Sequence, residues 1–193
     1  LLFEQAELAQ KVFSPAIIPD LKEENRLTTE YGKLTASAQI EFDGGNYNLS
    51  QMITFATSTD RNTRHRAQLA VSNWFASHEE EFDHIYDQMV KVRTEMARKI
   101  GYDNYVQMGY DRFSRLDYNS KDVKGYRDQV YQVIVPYVQK LQERRAKRIG
   151  VKNPKSYDLS LSFLTGNPKP KGDRAWQVEK ALKMYDEMSP ETS

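Results

Sequence analysis

Along most of the chain, apolar residues recur at steps of three and four, the spacing that aligns one face of an α-helix; at one place they alternate instead. Residues 1–30 read as helical material interrupted at Ser14-Pro15 and Pro19. Proline lacks the amide donor and crowds the preceding turn, so this stretch predicts more than one short helix. From Lys33 to Phe42 the apolar residues Leu34, Ala36, Ala38, Ile40 and Phe42 alternate with polar ones. A period of two predicts a strand with one buried face. Asp43-Gly44-Gly45-Asn46 supplies a turn and Tyr47 to Gln51 a returning strand, so residues 33–51 are expected to form a β-hairpin.

Thr57-Ser58-Thr59-Asp60 offers N-cap side chains for a helix starting at Arg61. Between Arg61 and Ile100 there is no proline or glycine, and Val71, Trp74, Phe75, Phe82, Ile85, Met89, Val92, Met96 and Ile100 mark one stripe, with His78 filling its gap. This predicts a single helix of about 40 residues, closed by Gly101 in a left-handed cap. A shorter helix is expected from Asn104 to about Arg115. Another begins near Ser120, carries Val123, Tyr126, Val130, Ile134, Tyr137 and Leu141 on one face, is kinked at Pro136 and stops at Gly150. Residues 151–172 hold Pro154, Gly166, Pro168, Pro170 and Gly172 and read as ordered loop. A last helix runs from about Arg174 to Met188 and ends at Ser189-Pro190.

The expected fold is mainly α: a long-helix array with one small β-hairpin, forming a single helical region over residues 1–193. Its parts are N-terminal helices at 1–30, the hairpin at 33–51, long helices at 58–150, the proline- and glycine-rich loop at 151–172 and a C-terminal helix at 173–189. The breaks at Gly101, Gly150 and the proline loop favour a compact array over a continuous coiled coil.

Composition narrows the function classes. Hydrophobic residues make up 39% of the chain, enough for a core, while a mean hydropathy of -0.76 leaves no stretch near the roughly 18 apolar residues that span a bilayer. Net charge is +1 from 28 basic and 27 acidic side chains, which gives no general drive toward nucleic acid or anionic membranes. The basic cluster Arg144, Arg145, Lys147 and Arg148 lies near a predicted helix C-terminus, where cations complement the macrodipole. The absence of cysteine excludes disulfides, thiolate metal sites and thiol nucleophiles, and suits a cytoplasmic location. The chain opens Leu1-Leu2-Phe3 without methionine, which suggests part of a longer polypeptide.

Candidate chemistry is sparse. His78-Glu79-Glu80-Glu81-Phe82 opens like the zinc-peptidase pattern H-E-x-x-H, but phenylalanine stands where the second imidazole is needed. His84 lies six residues beyond His78, about 240° around a helix at roughly 100° per residue, so the pair cannot chelate from one face. The carboxylates Glu79, Glu80, Glu81, Asp83 and Asp87 read as a solvated helix face. No nucleophile elbow, P-loop or dinucleotide fingerprint occurs. No catalytic and no metal-binding residue is therefore expected. Of the twelve tyrosines, eight between Tyr102 and Tyr157 crowd the second half, and Arg112, Arg115 and Asp117 sit among them. Tyrosine has an apolar body and a polar tip, and arginine a planar donor fork, so this stretch suits a peptide-lining wall or an interior tied by arginine–carboxylate pairs.

The same segments resemble the oligoendopeptidase F branch of the thimet oligopeptidase superfamily. The resemblance runs through Ile40-Glu41-Phe42-Asp43-Gly44, Asn48-Leu49-Ser50-Gln51, Ser58-Thr59-Asp60-Arg61, Ile85-Tyr86-Asp87, Ile100-Gly101-Tyr102, Gly109-Tyr110-Asp111-Arg112 and Arg115-Leu116-Asp117-Tyr118-Asn119. It continues through Gly166-Asn167-Pro168 to Met184-Tyr185-Asp186-Glu187-Met188-Ser189-Pro190-Glu191-Thr192, and is loose over the first thirty residues. It implies a helical, channel-forming metallopeptidase fold whose zinc, held by H-E-x-x-H and a later glutamate, hydrolyses short peptides. That motif is implied downstream of this chain, so the zinc belongs to the intact parent and none to this fragment. The implied role is one wall of the substrate channel and part of a hinge. The implied partners are short peptide substrates and the remainder of the same polypeptide, with no nucleic acid and no membrane. Tyr110, Arg112, Arg115, Tyr118, Tyr157 and Asp158 are the candidates for facing that channel. The alternative is a stand-alone helical module that binds peptide or protein without enzymatic activity.

Overall fold

The computed structural model describes residues 2–189 and residue 191; Leu1, Pro190, Thr192 and Ser193, and with them two positions of the closing sequence block, lie outside the described residues. The chain opens with α1 (Leu2–Lys11), a 3-10 turn at Pro15–Ile17 and α2 (Ile18–Ala36). The prolines here begin helices: Pro15 and Pro19 both occupy first-turn positions, where a missing amide leaves no bond unmade.

The alternating stretch is mostly not a strand. α2 continues to Ala36, and only β1 (Ile40–Phe42) pairs, antiparallel, with β2 (Gly45–Tyr47). Extending an existing helix by a turn adds hydrogen bonds without a new nucleation step, whereas a ten-residue strand would need a partner of equal length. The turn is tight, with Asp43 at φ 47° and Gly44 at φ 80°, the pair of left-handed residues that a two-residue hairpin loop requires. The returning strand also stops early. Asn48 caps α3 (Leu49–Ala56): its side chain accepts from the Gln51 amide and Gln51 Oε1 accepts from the Asn48 amide, both at 2.9 Å.

The expected single helix is two. α4 (Arg61–Ser77), capped by Asp60, ends at His78, and α5 (Glu79–Lys99) begins one residue later. At the break His78 Nδ1 lies 2.8 Å from the Trp74 carbonyl, and its ring stacks on the Trp74 indole. Gly101, at φ 90°, ends α5 as expected. Next comes α6 (Tyr105–Arg112), its N-terminus held by Asn104.

Two small cores organise this half. Ala38, Ile40, Phe42, Met52, Ala67 and Trp74 join the hairpin, α3 and α4. Ile17, Met96, Ala97, Tyr102 and Met108 join the 3-10 turn, α5 and α6, while α2 lies along α5.

The rest of the chain is more open. α7 (Ser120–Gln129) passes through a π-helical turn at Val130–Ile134 into α8 (Val135–Arg148). The expected kink at Pro136 takes the form of this π turn, which absorbs the position where proline has no amide to donate. Loop 151–172 folds back over α8, where Arg145 donates to the Leu159 carbonyl and Arg148 to that of Ser162. α9 (Arg174–Met188), capped by Asp173, buries no residue. The predicted apolar face of α7 and α8 is present but uncovered: Tyr126, Ile134, Tyr137 and Leu141 are all exposed.

Candidate functional site

Three constellations of charged and aromatic side chains stand out, and the six sequence candidates are distributed among them. In the first, Glu24 of α2 is buried between α5 and α6. It accepts from Arg93 Nε at 2.7 Å and lies 3.0 Å from Arg112 Nη2. Arg112 also donates to the Tyr105 hydroxyl at 2.7 Å. Burial alone would raise the Glu24 pKa, but the hydrogen bonds from Arg112 and Arg93 outweigh it and hold the group below its ordinary value. Beside it, Asp111 accepts from Tyr102 at 2.5 Å, Gln107 at 2.8 Å and Lys11 at 2.9 Å. Desolvation opposes these bonds, and they prevail, so Asp111 also titrates low. Arg112 thus ties helices together.

In the second constellation, Tyr157 and Asp158 lie against α4. The Asp158 side chain is fully buried. It accepts from Arg61 Nη2 at 2.8 Å, Arg64 Nη2 at 2.9 Å and the Lys155 amide at 2.9 Å. The Arg61 hydrogen bond is the main reason that its pKa falls far below the usual carboxylate range. Tyr157 stacks on His65, with ring centroids 4.6 Å apart, and its carbonyl accepts from Arg64. Together these contacts fasten loop 151–172 to α4. With both charges withdrawn from water, Asp158 and Arg64 satisfy each other.

The third constellation straddles the C-terminal end of α6 and gathers Tyr110 of that helix with Arg115 and Tyr118 just beyond it. The Arg115 guanidinium lies 5.0 Å from the Tyr110 ring, 5.1 Å from Phe113 and 5.6 Å from Tyr118. Its backbone amide bonds the Tyr110 carbonyl at 3.2 Å, after a turn in which Ser114 adopts φ 53°. Two adjoining clefts of about 290 and 430 Å³ share Arg115 and Tyr118 as a common wall. Sequence reasoning misses Phe113 and Asn119 here. The Asn119-x-x-Asp122 capping pattern is a readable signal, and both of its reciprocal bonds form.

Two of the three histidines have other partners among the described residues. His65 stacks on Tyr157 and His78 is engaged at the helix break. Among the described residues no three histidine, aspartate or glutamate side chains converge as a metal set. No helix among them is long and apolar enough to cross a membrane.

Comparison with known proteins gives a consistent answer. No family model and no curated protein matches the sequence. Among solved structures, PZ peptidase A bound to an inhibitor is 51% identical, with a TM-score of 0.92 over 99% of this chain and 34% of that one. A structure described as an oligoendopeptidase F is 48% identical at a TM-score of 0.93, again over 99% and 34%. Another so described, from Bacillus anthracis strain Ames, is 44% identical at 0.90, over 99% and 35%. A peptidase structure from Chlamydophila abortus shares the fold at 15% identity and a TM-score of 0.66. The chain spans about one third of the length of each of these structures.

Proposed function

We propose, for a chain that is homologous over 99% of its length to about a third of the oligoendopeptidase F-like peptidases, that it is the non-catalytic part of a cytoplasmic zinc metalloendopeptidase that hydrolyses short peptides. The observation that carries this reading is identity of 44–51% combined with TM-scores of 0.90–0.93 along the chain. A sequence that close, folded that similarly, inherits its place in the larger architecture.

In that place the chain contributes shape. Helices α5 and α6 are both tied by arginines to the buried Glu24 of α2, and the Tyr110–Arg115–Tyr118 cluster stands at the end of α6 beside open clefts. A rigid wall of this kind holds an extended peptide in the channel and turns away folded proteins. A zinc ion, if held by the remaining polypeptide, would there supply Lewis-acid activation of water. No step of that chemistry falls to a residue of this chain. A stand-alone binding module would share the exposed faces of α7 to α9, but it leaves the close likeness to peptidases without a reason.

The test is a chimera in which this chain replaces the matching third of PZ peptidase A. Peptide hydrolysis within about tenfold of the unmodified enzyme is expected, since packing would be adjusted only at the seams. A folded, zinc-loaded chimera that cuts no peptide would defeat the reading.

A further inference from the structure

The Arg115 guanidinium is held differently from the arginines that tie the fold together. Arg61, Arg64, Arg93 and Arg112 each face a carboxylate of this chain. Arg115 is half-buried against three aromatic rings, and among the described residues no acceptor meets its side chain. Cation–π contact with rings consumes none of a guanidinium's N–H donors, so they remain available to a ligand. Packing against these rings restrains the Arg115 side chain before any ligand arrives, which lowers the ordering cost of a new contact.

A second donor group belongs to a residue lining the same cleft. Asn119 Oδ1 is committed to the amides of Lys121 and Asp122 at 2.8 and 3.3 Å, which fixes the orientation of its amide group. Its Nδ2 is therefore a donor, and no described residue accepts from it. Arg115, Tyr118 and Asn119 line one cleft of about 290 Å³. Two of the carboxylates on the adjoining clefts are occupied: Asp111 by Lys11, Tyr102 and Gln107, and Asp122 by the Asn119 amide. Asp117, which also lines this cleft, remains a competing negative charge and disfavours a dianion.

We infer that Arg115, with Asn119 and Tyr118, forms a docking point for a single carboxylate carried by a peptide. That the carrier is a peptide rests on the proposed function; the preference for a carboxylate rests on the donor geometry. Two sources share this chemistry, the C-terminal carboxylate and an acidic side chain.

The experiment is a titration of the 193-residue chain, monitored by nitrogen-15 NMR. Three probes are used: penta-alanine with a free C-terminal carboxylate, its C-terminal amide, and the amide carrying one internal glutamate. The free acid, the glutamate peptide or both should bind about tenfold tighter than the plain amide, as a charge-assisted forked contact implies. Whichever peptide gains identifies the source. The shifted amides should cluster at residues 107–123. Arg115→Gln should erase the difference, and Arg115→Lys, which keeps the charge without the planar fork, should restore only part of it. Asp117→Asn should tighten binding of the carboxylate peptide. Equal affinity for all three peptides on the unmodified chain overturns the inference while leaving the peptidase reading intact, and so does an Arg115→Gln chain that still discriminates. No binding of any probe at millimolar concentration also overturns it. Should Arg115→Gln fail to fold, the ratio on the unmodified chain decides alone.

Discussion

Asp158 illustrates what a single residue can show and conceal in sequence. Next to Tyr157, in a loop rich in proline and glycine, it reads as a polar side chain free to face a channel. In the structure it is buried between Arg61 and Arg64, residues more than ninety positions away, and no local pattern announces that pairing. Its folded pKa lies below the ordinary aspartate value of about 3.9. The stability it contributes is therefore fully present above about pH 4 and is lost as pH falls toward the folded pKa. Asp158→Asn should lower the unfolding free energy at neutral pH by about 3 kcal/mol, since it leaves Arg64 buried without its counter-charge. Urea titration measures this, and repeating it at lower pH should show a shallower acid loss in the variant. An unchanged midpoint at neutral pH would mean that the clamp is not what fastens the loop.

At the scale of elements, boundaries are legible wherever a side chain closes a local hydrogen bond. Asp60, Asn104 and Gly101 stand where the sequence places them. Errors arise where period is read without weighing caps. Asn48-x-x-Gln51 is a capping pair, yet the alternation before it and the turn at Gly44-Gly45 draw it into a strand. Asn48→Ala should destabilise the fold by about 1 kcal/mol, measurable by thermal unfolding, because the Gln51 amide at the start of α3 loses its side-chain acceptor. His78 marks the opposite failure. An unbroken apolar stripe across it conceals that its ring turns back to Trp74 and ends α4. Pro136 does disturb its helix, although the effect is a π turn over Val130–Ile134. Pro136→Ala restores an amide donor worth about 1 kcal/mol, so hydrogen exchange across 130–136 should slow about fivefold. Unchanged exchange there would assign the π turn to another cause.

For the whole molecule, the mainly helical architecture and the peptidase resemblance are readable in sequence, because ordered blocks of residues survive at 44–51% identity. What stays hidden there is that the apolar face of α7 and α8 is uncovered. Periodicity reveals that a face is apolar, and only tertiary structure reveals what lies against it. Tyr126, Tyr131, Tyr137 and Val133 are each at least 60% exposed, and a groove of about 940 Å³ between α8 and the start of loop 151–172 is lined by Ile134, Val135, Val138 and Val151. With a net charge of +1, little repulsion keeps copies apart. Sedimentation at rising concentration should show reversible self-association, and the pair Tyr131→Glu with Tyr137→Glu should shift the chain toward monomer. A chain that stays monomeric at about 100 μM would show these faces to be sufficiently hydrated alone.

In the proposed division of labour, this chain would shape the path of the peptide and hydrolysis would belong to polypeptide outside it. The direct measurement is zinc content and cleavage of a fluorogenic oligopeptide by the purified 193-residue chain, with and without a chelator. No stoichiometric zinc and no turnover above buffer are expected. One bound zinc per chain, together with cleavage that a chelator abolishes, would contradict this division.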